Sequence, residues 1–413
     1  MLKNYFKIAI AVLKRRKFFT FISLFGISLT LAIIIIVATF LDYVLSAGYP
    51  DTNRDRELYV SGMQLNSSKN HSQYNGGPSF YFINRYVSTL KTPEKIAVFS
   101  GNNATNSYTN NKKLVNSLRY TNDKFWDVLQ FAFLEGRPYN TQQLKNAEKV
   151  AVISDDTRKA YFGEDVTAVG RYIETDNVQY RVIGVVKSMP FTSNVYADIY
   201  VPYTLTKEDL KNTGLMGGYS AILLFNSPGD LDKARDEFNQ MVAKVPMGGD
   251  EQFDQLFTFA DPYFKSFIRS MHLDEGTNSG MGIFLSFAGA IVLLFLLLPT
   301  LNLVNINISR IMDRSSEIGV RKAFGASSRT LVYQFVVENL ILTFLGGVIG
   351  VILSFMLIQI ANSSNIMPNM HLSINFNVLF VTLLACVVFG LLSGVYPAWR
   401  MSRMHVVSAL KAQ

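Results

Sequence analysis

The side chains that most often perform catalysis or hold metals are few and scattered in this 413-residue chain. The histidines His71, His272, His371 and His405 lie far apart, and the single cysteine, Cys386, lies in a long apolar run. Metal sites usually need His or Cys pairs at short spacing, and the sequence has none. It also lacks the serine-nucleophile pattern G-x-S-x-G and the phosphate-loop pattern G-x-x-x-x-G-K-[ST]. We therefore expect no catalytic residue, no metal and no bound cofactor on this chain.

One segment does combine charge with helical periodicity: RSSEIGVRKAFGASSRTLVYQFVVENL, residues 314–340. Glu317 precedes Arg321 by four residues, the favourable order for an ion pair on a helix. Another face of the same short helix is apolar, with Val320, Ala323 and Phe324. An ordinary positively charged connector lying on lipid would have the same composition, so composition alone does not assign a role.

The turn signals in this segment indicate a helix, a tight turn and a second helix. The first helix is predicted at about 314–325, with Gly325 as the residue that ends it. Ser327 is predicted to cap the following helix, which continues into an apolar core from Leu340. Glu338 is expected near the inner membrane interface.

The elements around this segment are four apolar runs, each close to the roughly 20 residues needed to cross a bilayer. We predict spans at 18–45, 283–304, 340–360 and 378–395. The first run is longer than the apolar part of a signal peptide, so we expect an anchor preceded by a basic cytoplasmic segment at 1–17. The chain is expected to be a multi-pass membrane protein.

Lys and Arg are distributed unevenly across these runs, which predicts the orientation. The N-terminal segment, the 305–330 loop and the tail after the last span together carry 14 basic residues against two acidic ones. Residues 48–281 carry 25 against 27. Both termini and the loop are therefore predicted to be cytoplasmic. The net charge of +8 then reflects topology and membrane lipid rather than nucleic acid.

The long insert at 46–280 is predicted to be a mixed α/β extracytoplasmic domain. Its β-branched and aromatic runs lie at 95–100, 149–154, 180–186 and 220–225. Helical stretches are expected at 123–130 and 231–245, with the polar stretch 64–78 as a loop. Turn residues after position 202 suggest a second subdomain at about 205–261. The predicted fold class is α+β: a four-helix transmembrane domain, N-in and C-in, with this domain inserted between the first two spans.

Two pairs of glycines lie inside the last two predicted spans. Gly346 and Gly350 form one G-x-x-x-G pattern, and Gly390 and Gly394 form another. Such patterns let membrane helices approach closely. They predict transmembrane packing, either within the chain or between two copies.

The C-terminal part closely resembles the permease domain of the FtsX and MacB families. The motif E-I-G-x-R-[KR]-A-x-G-A-[ST] of those families is matched by Glu317, Ile318, Gly319, Arg321, Lys322, Ala323, Gly325, Ala326 and Ser327. Gly394, Pro397, Ala398, Arg400, Ala409 and Leu410 match the family's ending. The insert is similar to the MacB-like periplasmic core, with Phe125, Gly136, Arg137, Phe162, Gly163, Gly170, Ile183, Gly184 and Val185 in place. From 205 to 261 the resemblance thins.

The resemblance implies the permease subunit of an ABC transport complex of the mechanotransmission type, located in the inner membrane. In that family the helix at 317–325, including Phe324, docks on a separate ATPase subunit, which would bind the ATP and Mg²⁺. A second permease copy or a paralogue is the implied dimer partner. The resemblance leaves open whether a periplasmic adaptor is a third partner.

Two outputs are compatible with that resemblance. One is export or extraction of a hydrophobic or amphipathic cargo, such as a drug, peptide, toxin or lipoprotein. The other is an FtsX-like regulator that activates an extracytoplasmic cell-wall hydrolase and transports nothing. The large insert favours export, because FtsX itself carries a much smaller one. A receptor without an ATPase would leave the loop motif unexplained.

Overall fold

The computed structural model describes residues 10–11, 14–15, 17–109, 112–247, 253–271, 277–312, 320, 324, 327–364 and 366–402. These residues divide into two compact units. The helical unit comprises 1–44, 286–367 and 371–413, and the α/β unit comprises 45–285 with 368–370.

Four long helices carry the apolar runs of the sequence. They are α1 (Lys17–Leu45), α8 (Met281–Met312), α9 (Ser328–Ser363) and α10 (Phe376–Ser402). Three stretches are long and apolar enough to cross a membrane: Lys17–Leu45, Val332–Ser363 and Phe376–Val395. Helix α8 adds a shorter apolar stretch, Met281–Phe295, within the described residues. The predicted spans all fall on helices, and membrane crossing by α8 stays a prediction.

The α/β unit contains six short helices and fourteen strands within the described residues. The helices are α2 (Phe80–Arg85), α3 (Phe125–Val128), α4 (Thr141–Lys145), α5 (Asp155–Phe162), α6 (Leu231–Val242) and α7 (Tyr263–Ser270). The first seven strands are β1 (Glu57–Val60), β2 (Met63–Asn66), β3 (Gln73–Pro78), β4 (Lys95–Ser100), β5 (Asn103–Thr109), β6 (Lys112–Thr121) and β7 (Phe133–Gly136). The others are β8 (Val150–Ser154), β9 (Tyr172–Thr175), β10 (Val178–Val186), β11 (Ile199–Pro202), β12 (Met216–Gly217), β13 (Tyr219–Leu224) and β14 (Gln255–Thr258).

Most strands join one ten-stranded mixed sheet in the order β1-β13-β4-β6-β11-β8-β10-β7, with β5 on β6 and β9 on β10. Strand β10 runs parallel to β8, and β11 runs parallel to β6. A second sheet has the order β12-β3-β2-β14. The predicted mixed α/β character of this part of the chain is confirmed.

Helices cover both faces of the large sheet, which explains why its strands β8 and β11 are buried along their whole length rather than alternating. On one face, Phe82 of α2 and Phe238 of α6 pack with Leu58 and Leu223 of the sheet. The other face carries an aromatic cluster: Tyr59, Phe99, Phe125, Trp126 and Tyr200. Ala234 and Phe238 are the buried positions of α6, and Leu231 and Met241 of the same helix are partly buried against this core.

Two sequence predictions differ from the structure. The polar stretch 64–78, predicted as a loop, contributes the antiparallel pair β2 and β3. The segment 205–261 is not a separate subdomain in the described part of the chain, because its strand β13 pairs with both β1 and β4 inside the large sheet. Turn residues near Pro202 mark where a strand ends, but they carry no information about which strands then pair.

Candidate coupling site and helix packing

The predicted coupling helix lies mostly outside the described residues. That applies to Glu317, Ile318, Gly319, Arg321, Lys322, Ala323, Gly325 and Ala326. Two of its apolar positions are described. Val320 is helical and its carbonyl accepts a hydrogen bond from the Phe324 N–H at 3.1 Å. The Phe324 side chain is 89% exposed, so a large aromatic ring faces away from the rest of the chain at this turn.

Helix α9 begins at the predicted position. Ser327 is its N-cap in an extended conformation, and its hydroxyl accepts a hydrogen bond from the Thr330 N–H at 3.2 Å. The cap satisfies one of the N–H groups that the first turn of a helix leaves without an intrahelical partner. The end of the predicted turn is therefore fixed by a specific side chain.

Three polar side chains lie buried near the beginning of α9: Gln334, Glu338 and Asn339, each 4% exposed. Gln334 Nε2 donates to Glu338 Oε1 at 3.1 Å, one helical turn away. Asn339 Nδ2 donates to Ser393 Oγ of α10 at 3.1 Å and also to the Gly390 carbonyl. Buried polar groups need such partners, especially where lipid replaces water. The sequence did not single out Asn339, although an Asn beside an apolar run is a usable signal.

Each glycine pair faces another helix of the same chain. A Cβ added to Gly346 would lie 2.7 Å from Ile27 Cγ2 of α1, and one added to Gly350 would lie 2.9 Å from the Ser28 carbonyl oxygen. Gly390 and Gly394 of α10 instead face Thr343 and Asn339 of α9. The structure thus uses both G-x-x-x-G patterns for packing inside the helical unit, where small residues let backbones approach closely.

A second buried polar cluster, in the α/β unit, was not predicted. The Tyr59 hydroxyl lies 2.7 Å from Asp51 Oδ2 and 2.8 Å from Glu57 Oε2. All three residues are at most 3% exposed. Burial, followed by the hydrogen bond and negative charge of Asp51, raises the pKa of Glu57 to about 9. One hydroxyl proton cannot serve two carboxylates, so a protonated Glu57 completes the cluster at neutral pH.

Among the described residues, no group of three or more His, Cys, Asp and Glu side chains is placed to hold a metal ion. Cys386 is a free thiol on α10. The geometry of the described residues at this site is that of helix packing and of a turn with an exposed aromatic ring.

Two family descriptions match the chain. The MacB-like periplasmic core domain matches residues 20–241, more than half of the chain, and the FtsX-like permease C-terminal domain matches residues 289–406. Together they include most of both units.

Curated relatives share about a quarter of the aligned residues. The macrolide export ATP-binding/permease protein MacB of Acinetobacter baylyi is 26% identical over 297 residues, covering 71% of this chain and 42% of the relative. The protein of the same name from Wolinella succinogenes is 28% identical over 317 residues, covering 75% of this chain and 45% of the relative. The chain therefore spans less than half the length of these relatives.

Among solved structures, the periplasmic region of MacB from Actinobacillus actinomycetemcomitans matches with a TM-score of 0.35 and 15% identity. The match covers 54% of this chain and 94% of that structure.

Proposed function

Because the chain belongs to the MacB-like and FtsX-like family of ABC transporter permeases, we propose that it couples ATP hydrolysis by a separate subunit to movement of its α/β unit. The observation that carries the proposal is the 317–327 motif inside the FtsX-like match, followed by the capped start of α9. ATP and Mg²⁺ would bind to the partner, since this sequence has no phosphate-loop pattern.

The proposed docking surface is the helix at 314–325 and its occupant is the nucleotide-binding subunit. Phe324 supports this assignment, because an aromatic ring that is 89% exposed at a turn gives a partner subunit an apolar anchor. Arg321 and Lys322 supply charge beside it. Interfaces commonly concentrate their binding energy in a few such aromatic and arginine residues.

The proposed topology has four membrane helices, with α8 as the second span and both termini in the cytoplasm. The basic residues at 305–330 and in the terminal segments support this orientation. The α/β unit would then lie on the opposite side of the inner membrane. Two permease subunits, identical or paralogous, would form the complex, with a periplasmic adaptor as a further partner.

The proposed output is export or extraction of a hydrophobic or amphipathic cargo. Two relatives that are named for macrolide export support an export role, as does the size of the α/β unit. In the regulator alternative the same movement would activate an extracytoplasmic hydrolase. ATP hydrolysis by the reconstituted complex distinguishes the two, because an exporter should be stimulated by added cargo and a regulator by its hydrolase.

The docking proposal is tested by purifying the tagged full-length chain from its natural host. We expect a P-loop ATPase and ATP hydrolysis to copurify with the wild type, and both to be lost in Gly325→Trp and strongly reduced in Phe324→Ala. Tyr333→Ala is the matched control, since Tyr333 is a similarly exposed aromatic residue, 66%, beyond the motif on α9. An unchanged yield of ATPase with Gly325→Trp would reject docking at this helix.

The orientation is tested separately with a single introduced thiol. In a Cys386→Ser background, Lys322→Cys should resist a membrane-impermeant maleimide in intact cells and react after the membrane is opened. Labelling in intact cells would place the loop outside and would reject the proposed coupling.

A further inference from the structure

Two arginines bind the chain where it enters and leaves the α/β unit. Arg54 Nη1 donates to the Leu45 carbonyl at 3.2 Å and to the Ser46 carbonyl at 2.6 Å. Leu45 is the last residue of α1. Arg269 Nη1 donates to the Asn278 carbonyl at 2.7 Å, three residues before α8 begins. Each connection to a long helix is thus bound through its backbone carbonyls. A substitution of a side chain in the connection would leave these hydrogen bonds intact.

Each arginine is in turn fixed by a buried aspartate. Arg54 Nε lies 2.9 Å from Asp51 Oδ2, and Arg269 Nε lies 2.8 Å from Asp261 Oδ2. The aspartate side chains are only 4% and 3% exposed. A guanidinium presents its N–H groups in a rigid planar fork, so it can bind a carboxylate and a carbonyl at once. Lysine, with one rotating ammonium group, does not reproduce that geometry.

Aromatic rings complete both contacts. The Arg54 guanidinium carbon lies 3.6 Å from the centre of the Tyr263 ring, and that of Arg269 lies 3.8 Å from the centre of the Phe259 ring. Cation–π contact restrains the plane of the guanidinium group in addition to the ion pair. We call the Arg54–Asp51 and Arg269–Asp261 pairs the entry clamp and the exit clamp.

Tyr59 of β1 joins the two clamps into one cluster. Its hydroxyl binds Asp51 of the entry clamp at 2.7 Å. Its backbone exchanges two hydrogen bonds with Asp261 of the exit clamp, at 2.8 and 3.1 Å. Its ring also packs edge-on against Tyr263, with 5.3 Å between the ring centres. A displacement of either connection therefore acts on the same strand of the large sheet.

We propose that Arg54 and Arg269 are positioning residues that fix the backbone of the α/β unit at 45–46 and at 278, next to α1 and α8, so that movement arriving along either helix is passed on to β1. This inference rests on the proposed mechanical function of the permease. It adds the residues through which such movement would pass.

The two arginines could simply stabilise the fold. This simpler role can be separated from the proposed one because a third arginine makes the same kinds of contact elsewhere in the α/β unit. Arg158 lies 2.8 Å from Asp155 with the same three-residue spacing as Arg54 and Asp51. It also donates to two carbonyls, those of Glu164 at 2.6 Å and Val166 at 3.1 Å. Its partners all lie between positions 135 and 166 of the α/β unit, and none belongs to either connection. Loss of Arg158 should weaken folding without loosening the connections.

The test uses pairs of spin labels on the full-length chain in lipid nanodiscs, in a Cys386→Ser background. Labels at Ala47→Cys and Arg171→Cys report on the entry connection, and labels at Gly282→Cys and Arg171→Cys report on the exit connection, so that every pair lies within the α/β unit. Labels at Lys145→Cys and Arg171→Cys report on the α/β unit itself. All four sites are exposed.

We expect a narrow distance distribution for every pair in the wild type. Arg54→Gln and Arg54→Lys should lose the narrow entry peak, and Arg269→Gln should lose the exit peak, while the 145–171 distance stays unchanged. Arg158→Gln should leave both connection peaks narrow. The inference is overturned if the Arg54 and Arg269 variants keep narrow peaks, or if Arg158→Gln broadens them equally. The measurement needs no ATPase. Such a result would therefore reject the role proposed for the two clamps without bearing on the docking proposal.

Discussion

The Asn339 side chain of α9 lies directly over Gly394 of α10. A Cβ built at Gly394 would lie 2.6 Å from Asn339 Nδ2 and 2.9 Å from Asn339 Cβ. The same amide nitrogen donates to Ser393 Oγ and to the Gly390 carbonyl. The glycine thus provides the space in which a buried amide reaches its partners on the neighbouring helix.

Substitution of Gly394 by alanine should therefore destabilise the helical unit. The added methyl group must displace Asn339, which costs about 1–3 kcal/mol by overpacking and by weakening of a buried hydrogen bond. Helix loss on heating, followed by circular dichroism of the full-length chain in detergent, measures the effect. Gly289→Ala on α8 is the control, since within the described residues no atom beyond the adjoining residues and backbone of its own helix lies within 4 Å of a Cβ at that site. Equal melting temperatures for the two variants would contradict the packing argument.

The pair Gly350 and Gly347 gives a sharper comparison within one helix. A Cβ at Gly350 would lie 2.9 Å from the Ser28 carbonyl oxygen of α1, whereas one at Gly347 would make ordinary contacts of 3.7 Å or more. Backbone cannot rotate away as a side chain can. We expect Gly350→Ala to lower the melting temperature of the full-length chain, and Gly347→Ala to leave it unchanged or raise it slightly, because alanine favours helix. A larger loss with Gly347→Ala would show that α1 packs elsewhere.

The strongly apolar elements could be predicted because each rests on local composition. The runs at 95–100 and 180–186 form β4 and β10, and the apolar runs of the last two spans form α9 and α10. Strand β3 could not be predicted, because its sequence QYNGGP is poor in strand-forming residues. Pairing with β2 on one side and β12 on the other holds it extended. Such a strand depends on hydrogen bonds to neighbouring strands, and a single sequence does not reveal which strands are its neighbours.

The candidate sites were likewise predicted in part and missed in part. The glycine patterns predicted close packing, but not that α1 and α9 would be the partners, since contact between distant helices has no local signature. The clamps were missed for a related reason. Arg54 and Asp51 look like ordinary surface charges in the sequence, and only the fold buries the aspartate and brings Tyr263 over the guanidinium group.

Two glycines in the matched MacB-like region should differ in their tolerance of alanine. Both have left-handed backbone, with φ of +65° at Gly136 and +89° at Gly170. A Cβ at Gly136 would also lie 2.9 Å from the Ile183 carbonyl carbon and 3.0 Å from Val169 Cγ2, whereas Gly170 has open space. We expect Gly170→Ala to cost about 1–2 kcal/mol from backbone strain alone. Gly136→Ala should cost more in chemical denaturation followed by Trp126 fluorescence in a Trp399→Phe background, and equal losses would contradict the steric argument.

Glu57 should make the α/β unit less stable as pH rises through the neutral range. Its pKa is about 9 in the folded chain because of burial and of Asp51, against an ordinary value near 4.5. Between those values the folded state holds a proton that the unfolded state has released. Stability from this group is complete below about pH 4.5 and is lost towards pH 9, with a slope of at most about 1.4 kcal/mol per pH unit.

Glu57→Gln should remove that slope, because the amide resembles the protonated acid in shape and can also donate to Asp51. The measurement is the difference in unfolding free energy between wild type and variant from pH 5 to 9. Taking the difference cancels the titration of groups elsewhere in the chain. The neighbours Asp51, Arg54, Tyr59 and Tyr263 are the same in both proteins. Glu237→Gln is the control. Partial burial opposes ionisation of Glu237, but hydrogen bonds from Thr92 and Lys91 outweigh it and lower its pKa, so its contribution changes only in acid. A wild-type curve parallel to that of Glu57→Gln would mean that Glu57 is ionised in the folded chain, and that the Tyr59 hydroxyl is shared between two charged groups.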